Sequence, residues 1–188
     1  TGDVVVANRS GGITKVYARL DNCVESNGMP GIQTSTDSNM LPWGVEECVA
    51  WFTPMTYPSQ RPVAWTAGSF NENSCAWENS KVWTSGNNLQ NGTVDVLRLN
   101  GQTGAIEDTV QVMGVGADYY GLYGAAVDAK GNMWASQLSQ QSLVFVDGVE
   151  RPATEVAQLL GVSPSTLTSV IDGLNERGLV RRGSDPTD

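Results

Sequence analysis

Histidine is absent from the 188 residues. Its absence excludes Ser-His-Asp and Cys-His catalysis and every zinc site that uses imidazole. Cysteine is scarce. Cys23, Cys48 and Cys75 cannot build a four-thiolate zinc cage and allow at most one internal disulfide. The alternatives are three buried thiols or one bridge. Cys23 with Cys48 is the preferred pair, because the two bracket a long Gly/Pro/Ser-rich insertion that a crosslink would steady. No apolar run approaches the roughly 18 residues of a membrane-crossing helix, so no membrane partner is expected. Positive charge is short: 11 Lys and Arg stand against 20 Asp and Glu, a net charge of −9. Residues 1–147 carry −7 of it and residues 148–188 carry −2. Neither part is basic, which weighs against nucleic acid, since phosphate neutralisation supplies much of DNA affinity. The chain starts at Thr1 and shows no signal peptide, so a mature product or an excised piece is expected.

What is present is a globular composition, 40% hydrophobic with 21 Gly, long enough for one domain or one domain plus an appendage. Alternating apolar residues predict strands at 3–7 (DVVVA), 13–19 (ITKVYAR), 47–52 (ECVAWF) and 63–66. Residues 21–44 and the proline-bearing stretch 54–62 read as loops. Further strands are predicted at 81–85 (KVWTS), 93–99 (TVDVLRL), 105–112, 125–128, 133–137 (MWASQ) and 143–147 (LVFVD), with Asn100-Gly101 as a hairpin turn.

These strands recur as a unit. VVVAN at 4–8, VWTSG at 82–86 and MWASQ at 133–137 each precede a polar turn and an antiparallel strand. Trp83 and Trp134 hold the same place 51 positions apart. A period of that size with short strands marks propeller blades. AVDAKGNMW and VLRLNGQTGAIEDTV resemble the strands of extracytoplasmic bacterial β-propellers of the NHL and virginiamycin-lyase-like class. The resemblance implies a partial propeller of about three blades over residues 1–147 and a secreted or periplasmic location. Trp83 and Trp134 are then expected to pack between blades.

Candidate sites in this part are few. Asp21, Glu25 and Asn27 alternate ahead of Gly28 and resemble an oxygen-rich calcium loop, so calcium is the cofactor such a loop would take; the bland alternative is a solvated glycine turn. Trp43 and Trp77 lie in loops, where flat aromatic surface suits a carbohydrate or peptide ligand. The adjacent carboxylates Glu46-Glu47 and Glu107-Asp108 are read as solvated, because neighbours on a strand face opposite ways and cannot flank one substrate. No catalytic residue is assigned, and a lyase or hydrolase is the least favoured reading, since a lyase of the virginiamycin type is expected to use histidine.

After Asp147 the apolar period changes from 2 to 3.6, with 148–151 as the seam. Val156, Leu159 and Leu160 form one apolar face; Gly161 ends that helix; Ser163 and Pro164 open a second, with Leu167, Val170, Ile171 and Leu174 on its buried side. Gly178 ends it, and LVRR follows. The stretch 154–188 resembles the helix-turn-helix of MarR-type winged-helix regulators, through the SPST turn, ERGLVRR and DPTD. The resemblance implies a DNA partner and a cytoplasmic location. Ser163, Ser165, Thr166, Thr168, Ser169 and Arg177 would face DNA, with Arg181 and Arg182 on phosphates. Ser169 and Gly173 stand where such families place Arg or another long polar residue. The alternative is a helical cap on an open sheet edge.

The expected architecture is therefore mainly β: a partial propeller at 1–147, a junction at 148–151, and a partial winged helix-turn-helix at 152–188. A binding or structural module joined to a DNA-reading element, or a MarR-type transcriptional regulator, is the expected function. A natural or engineered chimera, or a mis-joined gene fragment, accounts for the join.

Overall fold

The computed structural model describes residues 2–89, 91–115, 118–138 and 143–148, together with Ser163, Ser169 and Asp172. Among them the protein is mainly β. The strands are β1 (Val4–Asn8), β2 (Gly11–Val16), β3 (Val49–Met55), β4 (Ser59–Trp65), β5 (Ser69–Asn71), β6 (Ala76–Glu78), β7 (Lys81–Asn88), β8 (Thr93–Asn100), β9 (Ile106–Met113), β10 (Leu122–Val127), β11 (Met133–Gln137) and β12 (Leu143–Val146). A 3-10 turn spans Leu20–Asn22. Three antiparallel sheets result, ordered β1-β2-β3, β4-β7-β8-β9 and β10-β11-β12, with β5-β6 as a separate hairpin.

β8 explains the stacking. Successive side chains on a strand face opposite ways. Leu97 and Leu99, with Val82 of β7, pack against Val5, Ile13, Trp51 and Met55 of the first sheet. Val94 and Val96, with Trp83, pack against Leu122, Met133, Ala135 and Val146 of the third. Strands β7 and β8 of the middle sheet are thus buried on both faces. Each fully buried Val or Leu contributes about 1.5–3 kcal/mol. The first strands of the three sheets are neighbours: β4 lies alongside both β10 and β1. The described sheets do not close into a ring.

Polar side chains reach across the joins to turn carbonyls. Gly101 O accepts from Lys15 Nζ at 3.0 Å and from Trp51 Nε1 at 3.2 Å. Gly104 O accepts from Thr53 Oγ1 at 2.6 Å. Lys15 is buried, and its charge is met by Asp3 at 3.3 Å. At the other join, Trp83 Nε1 donates to Gly131 O at 2.9 Å. Close approach of rings demands glycine at two places. A Cβ on Gly86 would sit 2.1 Å from the Tyr57 ring, and one on Gly104 (φ 73°) would sit 2.6 Å from the Trp51 ring.

Three expectations are corrected. The stretch 54–62 is not a loop: Pro54 lies in β3 and Ser59 to Pro62 belong to β4. β3 is an edge strand, and β4 shifts register between Gln60 and Val63, so both prolines sit where a missing N–H is tolerated. Trp83 and Trp134 are not equivalent. Trp83 is 2% exposed between sheets, whereas Trp134 is 44% exposed and packs on Phe145 at 4.7 Å, on the outward face of the last described sheet. Glu46 and Glu47 are not solvated; Glu47 is buried and Glu46 half-buried. The helix-turn-helix at 154–182 lies outside the described residues except for Ser163, Ser169 and Asp172, all exposed, of which Ser169 and Asp172 have helical backbone.

Candidate functional site

Where β1, β4 and β10 meet, a shallow depression of about 230 Å³ is lined by Ala7, Arg9, Gln60, Arg61 and Tyr123. Each sheet contributes. Arg9 sits in the β1–β2 turn, and its carbonyl accepts from Gln60 N at 2.9 Å, fixing that turn to β4. Arg61 points its guanidinium over two rings brought by the third sheet, Tyr120 at 4.7 Å and Tyr123 at 5.1 Å. Its Nε donates to Ser59 Oγ at 3.3 Å. Tyr119 anchors the same loop by donating its hydroxyl to Pro58 O at 2.9 Å. Among the described residues neither Arg9 nor Arg61 is ion-paired with a carboxylate. Gln60 is fully buried, and its Oε1 accepts no hydrogen bond among the described residues.

A second depression, about 210 Å³, is lined in part by Lys81, Arg98, Lys130 and Gly148. Two of its three cations, Lys81 and Arg98, are engaged. Lys81 pairs with Glu107 at 2.7 Å, and Arg98 pairs with Asp108, lies over Trp83 and donates to Gly148 O. This arrangement holds the chain where it leaves the third sheet.

The long loop between β2 and β3 is organised by two carboxylates. Glu47 accepts from the backbone N–H groups of Ser26, Asn27 and Gln33. The N–H bonds from Gln33, Asn27 and Ser26 hold its pKa below the ordinary carboxyl value. Burial raises that of Glu46, but hydrogen bonds from Thr34, Ser35 and Cys48 outweigh it and the net shift is downward. Cys23 and Cys48 are bonded to each other at the base of the loop, and Cys75 is free and exposed.

Two of the loop residues singled out for calcium have other partners. Asp21 pairs with Arg19 at 2.9 Å. Asn27 donates its amide to Val45 O and accepts from Met29 N, so both ends of its side chain are engaged within the turn. Glu25 is exposed. Among the described residues no three His, Cys, Asp or Glu are grouped to hold a metal ion. Trp43 is 59% exposed and meets Phe52 edge-on at 5.6 Å; Trp77 is 54% exposed and packs on Phe70 at 5.6 Å. The two stand on separate elements, one in the loop before β3 and one on the β5-β6 hairpin. Ser165, Thr166, Thr168, Arg177, Arg181 and Arg182 lie outside the described residues, while Ser163 and Ser169 are exposed.

Sequence reasoning missed Arg9, Gln60 and Arg61. Arg61 is flanked by Pro58 and Pro62, which made its segment look like loop. The site draws on residues up to 116 positions apart (7 to 123), so no local spacing announces it. The pairing of Glu46 and Glu47 did carry a signal: two carboxylates bordering a Gly/Ser/Thr-rich run full of unpaired backbone N–H groups.

No curated protein and no solved structure matches the chain. The family model described as the MarR family matches residues 142–188, the segment that begins at the last strand of the third sheet.

Proposed function

We propose that the chain is a non-enzymatic binding protein. It would join a β-sheet module at 1–147 through residues 148–151 to a DNA-reading segment at 152–188. The observation that carries this reading is the MarR-family match over residues 142–188. Its chemistry is consistent with a helix-turn-helix. Ser163 and Pro164 suit a helix start, short hydroxyl side chains at Ser165, Thr166, Thr168 and Ser169 suit a groove-facing surface, and Arg177, Arg181 and Arg182 suit phosphates. The finer reading of residues 1–147 as about three propeller blades belongs to the same proposal and rests on the strand-turn-strand repeat with its 51-residue Trp83–Trp134 spacing. Specific operator recognition, as a MarR-type transcriptional regulator would show, is the narrower form.

The test is binding of a labelled random-sequence duplex at about 50 and about 200 mM salt, with Arg181→Ala/Arg182→Ala as comparison. DNA affinity carried by phosphate neutralisation falls steeply over that range, and the log–log salt slope drops by about 0.9 for each phosphate that is no longer neutralised. Binding that weakens with salt and has a shallower slope in the double variant supports the reading. No binding at about 50 mM salt refutes it. The disulfide belongs in an oxidising compartment and a DNA reader in a reducing one. The titration is therefore run with the chain oxidised and reduced.

A further inference from the structure

We propose that the depression at the meeting of β1, β4 and β10 binds a small sugar-based oxyanion, a sugar acid or a sugar phosphate. The proposal is independent of DNA recognition by the C-terminal segment.

Three features converge there. First, the chain carries −9 overall, yet two arginines without a carboxylate partner among the described residues line one small concavity. A concave wall of one sign focuses the opposite charge. Second, Arg61 is oriented before any ligand arrives. Tyr120 and Tyr123 hold its face at 4.7 and 5.1 Å, and its Nε is used on Ser59. The two terminal amino groups remain in the planar fork that matches a carboxylate or a phosphate. Third, half-exposed Tyr123 gives an apolar wall against which the carbon face of a sugar can lie. The volume, about 230 Å³, is below the roughly 300–1,000 Å³ of drug-sized sites, so the ligand is small.

The experiment is calorimetric titration of the full chain with glucuronate, with glucose 6-phosphate and with glucose. At least one anion is expected to bind saturably, and glucose is not. Binding of glucuronate alone identifies a carboxylate ligand, and binding of glucose 6-phosphate alone a phosphate ligand. Arg9→Gln should weaken the anion at least roughly tenfold, the effect expected of removing one charge-assisted hydrogen bond. Arg9→Gln/Arg61→Gln should abolish it. Arg9 is exposed, so its replacement should leave the melting temperature within about 2 °C. Arg9→Gln therefore decides the matter even if the double variant fails to fold. The proposal is overturned if neither anion binds up to about 10 mM, which would fill even a millimolar site. It is equally overturned if glucose binds as well as the anions, or if Arg9→Gln leaves the affinity unchanged.

Discussion

Cutting the Cys23–Cys48 crosslink should cost a large share of the stability of the β-sheet module. The bond closes a loop with a sequence separation of 25. In the chain-entropy model a crosslink of that span restricts the unfolded chain by about 12 cal/mol/K, or about 3.5 kcal/mol at 25 °C. The folded loop gives little of this back by relaxing, because Glu46 and Glu47 hold it independently through backbone N–H groups. At about 2–4 °C per kcal/mol for a chain of this size, Cys23→Ser/Cys48→Ser should melt about 7–14 °C below the parent. A differential scan of the double variant, of the parent with reductant and of Cys75→Ser separates the thiols. Reduced parent and double variant should coincide. Cys75→Ser should melt with the oxidised parent, since Cys75 is exposed and unbonded to another cysteine. A double variant that melts within about 2 °C of the oxidised parent would refute the loop-closure reasoning.

The carboxylates of the same loop predict acid sensitivity. A carboxyl whose folded pKa lies below its unfolded value, about 4.3 for Glu, stabilises the fold above that value and loses the effect as pH falls through the folded pKa. Hydrogen exchange of residues 26–35 should therefore accelerate between pH 5 and pH 3 relative to the β8 amides, and Glu47→Gln should show weak protection at every pH with a flattened acid dependence. Identical loop exchange in parent and Glu47→Gln would count against the assignment. Gly86→Ala should destabilise by about 1–3 kcal/mol, since the new methyl would meet the Tyr57 ring and the ring cannot retreat without breaking its 2.8 Å bond to Asp95. Scanning calorimetry should find the loss and find it reduced in Gly86→Ala/Tyr57→Leu; an unchanged melt in Gly86→Ala alone would rule out the close approach.

The strands were legible because period-2 alternation is local and burial enforces it. TVDVLRL announces a strand with two apolar faces, and β8 packs both. AVDAKGNMW was legible as a hairpin, and the structure gives the reason. Asp128 accepts from Lys130 N, from Asn132 N and Nδ2, and from Trp134 Nε1, so one carboxylate fixes the turn and the tryptophan after it. What escaped the sequence depends on neighbours that the sequence does not place. Proline in β3 and β4 is allowed only by an edge and a register shift. Trp83 and Trp134 hold the same place in the sequence pattern, but Trp83 has a sheet packed over it and, among the described residues, Trp134 has none. β5 and β6 are three residues each, too short for alternation to show. The Arg9–Arg61 depression is made by three sheets at once, and a pairing at that range leaves no trace in spacing.

The sequence pattern changes after Asp147, and up to Gly148 the described chain stays on the third sheet. The MarR-family match starts at residue 142, yet Leu143–Val146 is a strand hydrogen-bonded to β11, and Val146 lies in the core between the second and third sheets. The first residues of the matching segment are therefore held by the β-sheet module. Two residues further on, Gly148 N donates to Asn132 Oδ1 at 3.0 Å, and Gly148 O accepts from Arg98, whose guanidinium is braced by Asp108 and Trp83. A side chain at 148 has no room: a Cβ there would sit 2.4 Å from Gly131 O, the carbonyl that already receives Trp83. The exit point is thus clamped by the residues that seal the second core. Any loosening of that core at Trp83 is transmitted to Gly148 through two shared partners, the Gly131 carbonyl and the Arg98 guanidinium.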